Sequence, residues 1–326
     1  MSVDTVSAAR SVNKRGAGSP RAGAPVPGWW DYLGPIGAVK IAALAGLFVW
    51  LYWAQVYRMV SYWQEPDWSH GYLIPLFCLY IVNGRRSELI SGDHRGSLAG
   101  LALMLLSLFV YIMSIKLQIG PTAPLSMISM IAALVLLLRG WRTLWLTLFP
   151  IVFILLAVPP PERLYRAFTQ PLQQFAAVIS AFVLNMMPRV EVENQGFNIN
   201  WTSTTGPASG SFAVAGACSG MRSLMAFIAL GLAMAYFNPR ATWQRIVVVI
   251  VVIPVALFCN VLRVIITGCF QMYGHPELAT GTPHTVVGLC TFGIGFALYL
   301  GILWILDHLF VEEEDEPPAA MEGEKA

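Results

Sequence analysis

Charged residues are scarce in this chain of 326 residues: they make up only 12% of it, whereas hydrophobic residues make up 56%. The charged share is about half of that in an average soluble domain. A soluble protein of this size cannot bury so many apolar side chains, so we expect lipid to be the main solvent. The composition therefore excludes a secreted disulfide scaffold, a disordered regulator and an ordinary cytosolic enzyme.

Signals for nucleic-acid and metal binding are also missing. The net charge is only +2, and no basic stripe alternates with aromatic residues, which argues against a nucleic-acid partner. The sequence has no H-E-x-x-H motif, and its five histidines are too scattered for a metal cage. This excludes an intramembrane metalloprotease, and we predict neither a metal nor another cofactor.

The two ends of the chain differ from its middle. Residues 1–28 are rich in Gly, Ala, Ser and Pro and lack the apolar segment of a signal peptide. Eight of the 18 acidic residues lie in 307–326, as is typical of a solvated tail. We predict a disordered cytoplasmic tail over 1–30, a transmembrane domain over 31–310 and an acidic cytoplasmic tail over 311–326.

Apolar stretches bounded by charges or by Pro and Gly predict about eight transmembrane helices, and hence an all-α polytopic membrane protein. The stretches are 38–57, 71–84, 98–117, 124–138, 143–158, 221–237, 245–267 and 285–306. With a cytoplasmic N-terminus, arginines such as Arg85, Arg139 and Arg240 lie in inner loops, as the positive-inside rule requires. Both tails then lie inside, and 159–220 and 268–283 lie outside.

The long outer segment is predicted to hold two further elements. Residues 172–187 are apolar but contain glutamines and are flanked by prolines, so we interpret them as an outer interfacial or re-entrant helix. A ninth span here would reverse the orientation of everything downstream. Residues 190–214 alternate and contain turn residues, which predicts a short irregular or β segment, with Gly196–Trp201 as one candidate strand.

Arg263 is the clearest polar residue inside a span. Arginine stays protonated even in lipid, so its side chain must either reach the headgroups or find a partner within the protein. Asn260, three residues earlier, lies on a neighbouring face of the same helix. The two residues suggest a polar seam that faces other helices.

Cys218 lies among small residues at the outer start of a span, in Ala215–Arg222. The positive end of a helix dipole lowers the pKa of a thiol and favours the nucleophilic thiolate. Two other interpretations stay open at this point: a small hydrophobic residue, as expected for Cys78, Cys259 and Cys290, or a disulfide with Cys269 near the outer face.

His284 opens the last span on the same outer side, either as a hydrogen-bonded interfacial residue or as a base. His70, at the outer start of the second span, is its rival. Because consecutive spans alternate in direction, Cys218, Arg263 and His284 all fall at the outer surface. A nucleophile, a proton carrier and a fixed cation at one depth are the groups that acyl transfer needs.

With these motifs, residues 65–305 resemble the exosortase/archaeosortase family of integral-membrane cysteine transpeptidases. The matching elements are Ala217-Cys218-Ser219-Gly220-Met221-Arg222-Ser223, Asn260-x-x-Arg263, His284-x-x-x-Gly288, Ser69-His70-Gly71-Tyr72-Leu73-Ile74-Pro75, and the prolines at 159–161 and 171. The acidic C-terminal tail is not part of the family pattern.

The resemblance implies a thiol protease and transpeptidase of the cell inner membrane, with its site facing the periplasm. Its partners would be the lipid bilayer and exported proteins with a C-terminal signal of PEP-CTERM type: a Pro-Glu-Pro-like motif, a transmembrane helix and a basic cluster. It implies Cys218 as nucleophile, Arg263 as transition-state cation and His284 as acid/base. Arg222, Asn260, Ser219 and His70 are candidates for substrate binding or support.

Two non-enzymatic alternatives remain at the level of sequence. One is a transporter, in which polar residues would line a pathway at mid-membrane. The other is a scaffold of exopolysaccharide or protein export, in which Cys218 would be structural. The collection of polar residues at one face favours the interfacial enzyme.

Overall fold

The computed structural model describes residues 28–91, 95–214, 221–237 and 241–309, and most of them are helical. The α-helices are α1 (Trp29–Leu51), α2 (Trp53–Trp63), α3 (Leu73–Gly84), α4 (Arg86–Ser91), α5 (Leu98–Leu117), α6 (Thr122–Phe153), α7 (Glu162–Asn185), α8 (Met221–Phe237), α9 (Thr242–Met272) and α10 (Gly281–Leu309). Within this described part, six helical segments are long and apolar enough to cross a membrane. The predicted class, an all-α polytopic membrane protein, is confirmed.

α6 is a hairpin of two helices rather than one straight rod. Gly140 interrupts it with φ 81°, a conformation that favours glycine, and its Cα faces the backbone oxygen of Arg95 with no room for a side chain. Met127 on the first arm and Phe153 on the second belong to one hydrophobic cluster. The two arms therefore hold the stretches that the sequence predicts as separate spans.

A three-stranded antiparallel sheet lies between α7 and α8. Its strands are β1 (Val190–Gln195), β2 (Asn198–Ser203) and β3 (Ser209–Ala213), in the order β1-β2-β3. The predicted β segment is confirmed, but the candidate strand at 196–201 was placed two residues early. Gly196, with φ 71°, and Phe197 form the hairpin turn, because a left-handed residue fits a tight turn and not a strand.

The sheet packs against the C-terminal part of α9, and we call this side of the helices the sheet end. Phe212 of β3 approaches Gly268 of α9 and shares a hydrophobic cluster with Val264 and Leu184. The 3₁₀ helix Pro66–Tyr72 also packs against α8. Since Phe77 of α3, which follows it, contacts Phe237 at the last turn of α8, the 3₁₀ helix lies toward the start of α8, at the sheet end.

Both ends of α7 contact elements at the sheet end. Near its N-terminus, the Tyr165 hydroxyl donates to Asp67 Oδ2 at 3.2 Å. At its C-terminus, Asn185 Oδ1 accepts from the Val192 backbone N–H of β1 at 3.0 Å. By length and composition α7 qualifies as a span, but a helix whose two ends meet the same side fits the predicted interfacial or re-entrant helix better.

Candidate active site

α9 lies between α8 and α10 and packs closely on both through glycine. Gly231 of α8 faces Val252, and Gly295 of α10 faces Cys259 and Phe227, each without space for a side chain. Gly231 and Val252 therefore lie at the same level of the two helices. Met221 on α8 and Leu262 on α9 each lie ten residues nearer the sheet end, so they also lie at about the same level. Since a helix rises about 1.5 Å per residue, the start of α8 is level with Arg263.

Arg263 is buried and contacts His284. Its side chain is only 8% exposed, and its Nη2 lies 2.8 Å from His284 Nε2. A guanidinium can only donate, so Nε2 must accept through its lone pair. His284 is therefore a neutral ring with its proton on Nδ1 in this arrangement. The predicted Arg263–His284 proximity is observed, with a partner for Arg263 inside the protein rather than at the headgroups.

Gly288 provides the surface on which Arg263 rests. A Cβ at Gly288 would lie 3.1 Å from both Cζ and Nη2 of Arg263. Gly288 follows His284 by one helical turn, so the two residues lie on the same face of α10. The missing side chain lets the guanidinium lie against the helix backbone while it bonds the imidazole one turn away.

Two buried polar atoms beside this pair lack partners. Asn260 is 5% exposed, and neither its Oδ1 nor Arg263 Nε has a hydrogen-bond partner among the residues that the structure describes. Buried polar atoms are nearly always bonded in proteins. The unsatisfied acceptor and donor therefore mark this turn of α9 as a place that a polar group of a ligand would stabilise.

Cys218 and Ser219 lie outside the described residues, and the Arg222 side chain is not described either. The described chain stops at Val214 and resumes at Met221. Val214 is buried in the cluster that includes Val264, one residue beyond Arg263. Chain reach limits the Cα atoms of Cys218 and Met221 to about 11 Å apart. The described residues on either side of this segment, Val214 and Met221, therefore both lie beside α9 at about the level of Arg263.

The possible disulfide partner of Cys218 is a free thiol. Cys269 is unpaired and points toward Met187 Sδ, at 3.8 Å. The structure therefore does not contain the alternative disulfide between Cys218 and Cys269. Cys78 and Cys259 are buried, in line with their interpretation as small hydrophobic residues, whereas Cys290 is exposed on the surface of α10.

His70 is the second histidine at the sheet end. Its Nε2 lies 3.2 Å from the backbone oxygen of Leu156. An oxygen can only accept, so Nε2 carries the proton and Nδ1 holds the lone pair. Nδ1 is buried and has no partner in the described part of the chain. Burial lowers the pKa of His70 below its usual value, which keeps the ring neutral.

Packing around Gly71 fixes the position of His70. The Cα of Gly71 lies against the indole of Trp63 with no space for a Cβ, and Trp63 Nε1 donates to the Ala157 backbone oxygen at 2.8 Å. The sequence offered no sign of this role for Trp63. It did offer the helical spacing of His284 and Gly288, from which a shared face of α10 follows.

Comparison with known proteins gives one match. Residues 62–301, more than half of the chain, match the family model of the transmembrane exosortases (Exosortase_EpsH). No curated protein and no solved structure is similar enough to the chain to count as a match. The matched region includes His70, Cys218, Arg263 and His284. The chain belongs to the transmembrane exosortase family.

Proposed function

We propose that the protein is a membrane-embedded cysteine transpeptidase or protease. It cleaves a C-terminal sorting signal of PEP-CTERM type from exported proteins, through a thioester on Cys218. The observation that carries this proposal is the buried Arg263–His284 contact, level with the start of α8, three residues after Cys218. A thiol nucleophile, a cation and an imidazole are the components of thiol acyl transfer.

The proposed reaction has two half-steps. The Cys218 thiol loses its proton to a histidine, and the thiolate attacks the scissile carbonyl carbon. The tetrahedral intermediate collapses, the C–N bond breaks, and the histidine returns the proton to the departing amine. An acceptor amine or water then attacks the thioester, which releases the product and restores the thiol. Arg263 would stabilise the oxyanion of both tetrahedral intermediates.

The Arg263–His284 bond imposes an order on the first half-step. A neutral imidazole has one lone pair, and in His284 that lone pair accepts from Arg263. His284 can take the thiol proton only after Arg263 moves away. The same movement frees the guanidinium for the oxyanion, so substrate binding would separate the pair and prepare both groups at once.

His70 is the alternative acid/base. Its Nδ1 lone pair is unoccupied among the described residues, and its 3₁₀ helix packs against α8, the helix that follows Cys218. In this version His284 acts only as an acceptor that positions Arg263. Substitution of each histidine in turn distinguishes the two versions.

The proposed location is the inner membrane, with the site facing the periplasm. Arg85 and Arg139 lie at the end of the helices opposite the sheet end, where Arg139 donates to the backbone oxygen of Leu89. Under the positive-inside rule that end is cytoplasmic. The sheet end would then meet exported substrates after their translocation, while their transmembrane helix is still in the bilayer.

The decisive experiment is co-expression with an exported reporter that carries the tripartite signal. Processing is compared between the wild type and Cys218→Ala, with equal amounts of enzyme in the membrane. Loss of processing in the variant supports the enzyme. Unchanged processing would instead favour the scaffold of an export system, in which Cys218 is structural.

A further inference from the structure

The three-stranded sheet has two edges, of which the described part of the chain covers only the one at β1. There, Asn185 Oδ1 of α7 accepts from the Val192 backbone N–H at 3.0 Å. The strand order β1-β2-β3 makes β3 the other edge. No described residue bonds the outward backbone groups of β3. This open edge belongs to the strand that ends five residues before Cys218.

The pairing register identifies these outward groups. In an antiparallel pair, alternate residues bond the neighbouring strand, and the residues between them point their N–H and C=O groups away. The Ala208 backbone oxygen accepts from Ser203 and the Val214 N–H donates to Phe197, each at 2.8 Å, so even-numbered residues of β3 face β2. The outward groups are therefore those of Ser209, Ser211 and Ala213. All three residues are exposed.

β3 also lacks the residues that usually keep an edge strand unpaired. Such an edge is typically protected by a charged side chain, a proline or a bulge, or is covered by another element. The sequence of β3 is Ser-Gly-Ser-Phe-Ala, with neither a charge nor a proline. β1, by contrast, carries Glu191 and Glu193 and packs against α7. The composition of β3 therefore suits the addition of a further strand.

Trp201 of β2 places a donor without a partner beside this edge. Its indole lies against Gly210 of β3, where a Cβ would lie 2.9 Å from Nε1. Nε1 is buried and has no hydrogen-bond partner in the described part of the chain, although buried polar groups are nearly always bonded. Since the indole reaches from β2 over β3, a strand added beside β3 would bring an acceptor close to this N–H.

We propose that the outer edge of β3 binds the substrate segment on the N-terminal side of the cleavage site, as a fourth strand of the sheet. The identity of this segment rests on the proposed function. In strand addition, backbone hydrogen bonds supply the binding free energy, and they select little among side chains. The edge would therefore hold different exported proteins alike, while recognition of the sorting motif takes place elsewhere.

The position of β3 suits the half of the substrate that stays on the enzyme. Val214 precedes Cys218 by four residues, which span at most about 14 Å. The N-terminal half of the substrate ends at the carbonyl carbon that Cys218 attacks, and it remains bound as the thioester. Pairing with β3 would hold this half while the departing amine leaves with the transmembrane helix. Because β3 also leads toward Cys218, the two strands would run in the same direction.

The test measures contact between substrate and β3 without cleavage. The full-length Cys218→Ala protein carries a photoreactive benzoylphenylalanine in place of Ser209 and is co-expressed with the reporter that bears the tripartite signal. After irradiation we expect a crosslink to the reporter, which mass spectrometry maps to the N-terminal side of its motif.

A proline is then moved, one residue at a time, through the five reporter positions before the motif. Strand pairing uses every second N–H, and proline has none. The crosslink yield should therefore fall about fivefold at alternate positions, the effect of one lost backbone hydrogen bond. At the positions between them the yield should change little.

Matched enzyme variants locate the pairing on β3. In the photoreactive protein, Ser211→Pro removes one outward N–H and should lower the crosslink yield to a similar extent, since a sheet edge tolerates proline. Ser211→Ala keeps the N–H and should leave the yield unchanged. Asn194→Pro makes the same change at an outward position of β1, two residues after Val192, and should also leave the yield unchanged.

Equal yields along the proline series, or no crosslink from position 209, would overturn the proposal whether or not processing depends on Cys218. A crosslink to a second copy of the enzyme, or within the enzyme chain, instead of to the reporter would overturn it as well, because that strand would then occupy the edge. An alternating series without any Cys218-dependent processing by the wild type would keep the edge as a binding site and refute the proposed enzyme.

Discussion

Arg263 rests on α10 at Gly288, and from there its guanidinium donates to His284 one helical turn away. The direction of a long flexible side chain is thus fixed by a residue that has none. The buried guanidinium is pre-organised, because it lies against Gly288 and bonds His284 on the same helix. A cation that binds an oxyanion requires such pre-organisation.

The contact between Gly288 and the Arg263 guanidinium can be tested without changing any charged residue. Gly288→Ala places a methyl group 3.1 Å from the guanidinium carbon, so Arg263 must shift. We expect processing of the co-expressed reporter to fall about tenfold, because misplacement by an ångström can cost on the order of 10²-fold. The control is Gly293→Ala on the same helix, where a Cβ would meet nothing within 4 Å. Equal processing by the two variants would contradict the role of Gly288 in positioning Arg263.

The nucleophile is tested with two substitutions. Cys218→Ala should abolish processing, because no thioester can form. Cys218→Ser should be nearly as inactive, since a hydroxyl is far less acidic than a thiol and the site is proposed to act on a thiolate. Both variants should accumulate in the membrane like the wild type. A serine variant with near-normal processing would point to a site that activates hydroxyl groups.

Arg263→Lys keeps the charge but loses the planar fork that can hold His284 and an oxyanion in turn. We expect processing to fall by on the order of 10²–10³, the cost of one lost oxyanion donor. Because Arg263 is buried, Arg263→Ala would combine this loss with a destabilised bundle. The lysine variant, checked for its melting temperature in detergent, is therefore the informative one; processing at the wild-type rate would remove Arg263 from the site.

The roles of His284 and His70 are distinguished by the processing rates of their alanine variants and by the thioester intermediate that accumulates. If His284 is the acid/base, His284→Ala should process slowly and His70→Ala much less so. If His70 is the acid/base, the order reverses. In either case the impaired variant is examined for a hydroxylamine-sensitive, thioester-linked substrate on Cys218, the species expected when deacylation lacks a base. Normal processing in both single variants would show that Cys218 acts without either imidazole.

Thiol labelling tests the surroundings of Cys218 independently of substrate. In single-cysteine variants, Cys218 should react with a membrane-impermeant maleimide, because we place it at the periplasmic start of a helix. Cys259, which is buried between α9 and α10, should stay unreactive until the protein is denatured. The proposal fails on this point if the Cys218 variant labels only after membrane disruption.

Orientation is tested with reporter fusions. Fusions after Arg95, Gln195 and Arg240 should report cytoplasm, periplasm and cytoplasm. Gln195 is the last residue of β1, directly before the hairpin turn, so a fusion there also reports on the side of the sheet. A cytoplasmic result at Gln195 would contradict the proposed orientation, because the sheet end would then face away from exported substrates.

The sequence by itself determined the class of protein and the identity of the candidate residues. Its scarcity of charge excluded water as the main solvent, and its apolar stretches located α5, α8, α9 and α10 to within five residues at each end. They missed the starts of α1 and α7, which begin at Trp29 rather than 38 and at Glu162 rather than 172. Arg263 stood out because a permanent charge in an apolar run needs a partner. Cys218 and His284 followed from the alternation of spans, which places residues at one depth without any knowledge of packing.

Only the tertiary structure decided how these residues meet. A helix that is apolar on all sides, such as α10, carries no periodicity that tells which face packs on a neighbour. The sequence therefore could not show that Arg263 bonds Nε2 of His284, that Gly288 is its seat, or that α6 folds back at Gly140. A cavity that Gln55, Arg58, Trp68 and Tyr165 line was equally hidden, because its walls come from segments about a hundred residues apart that only the packed bundle brings together.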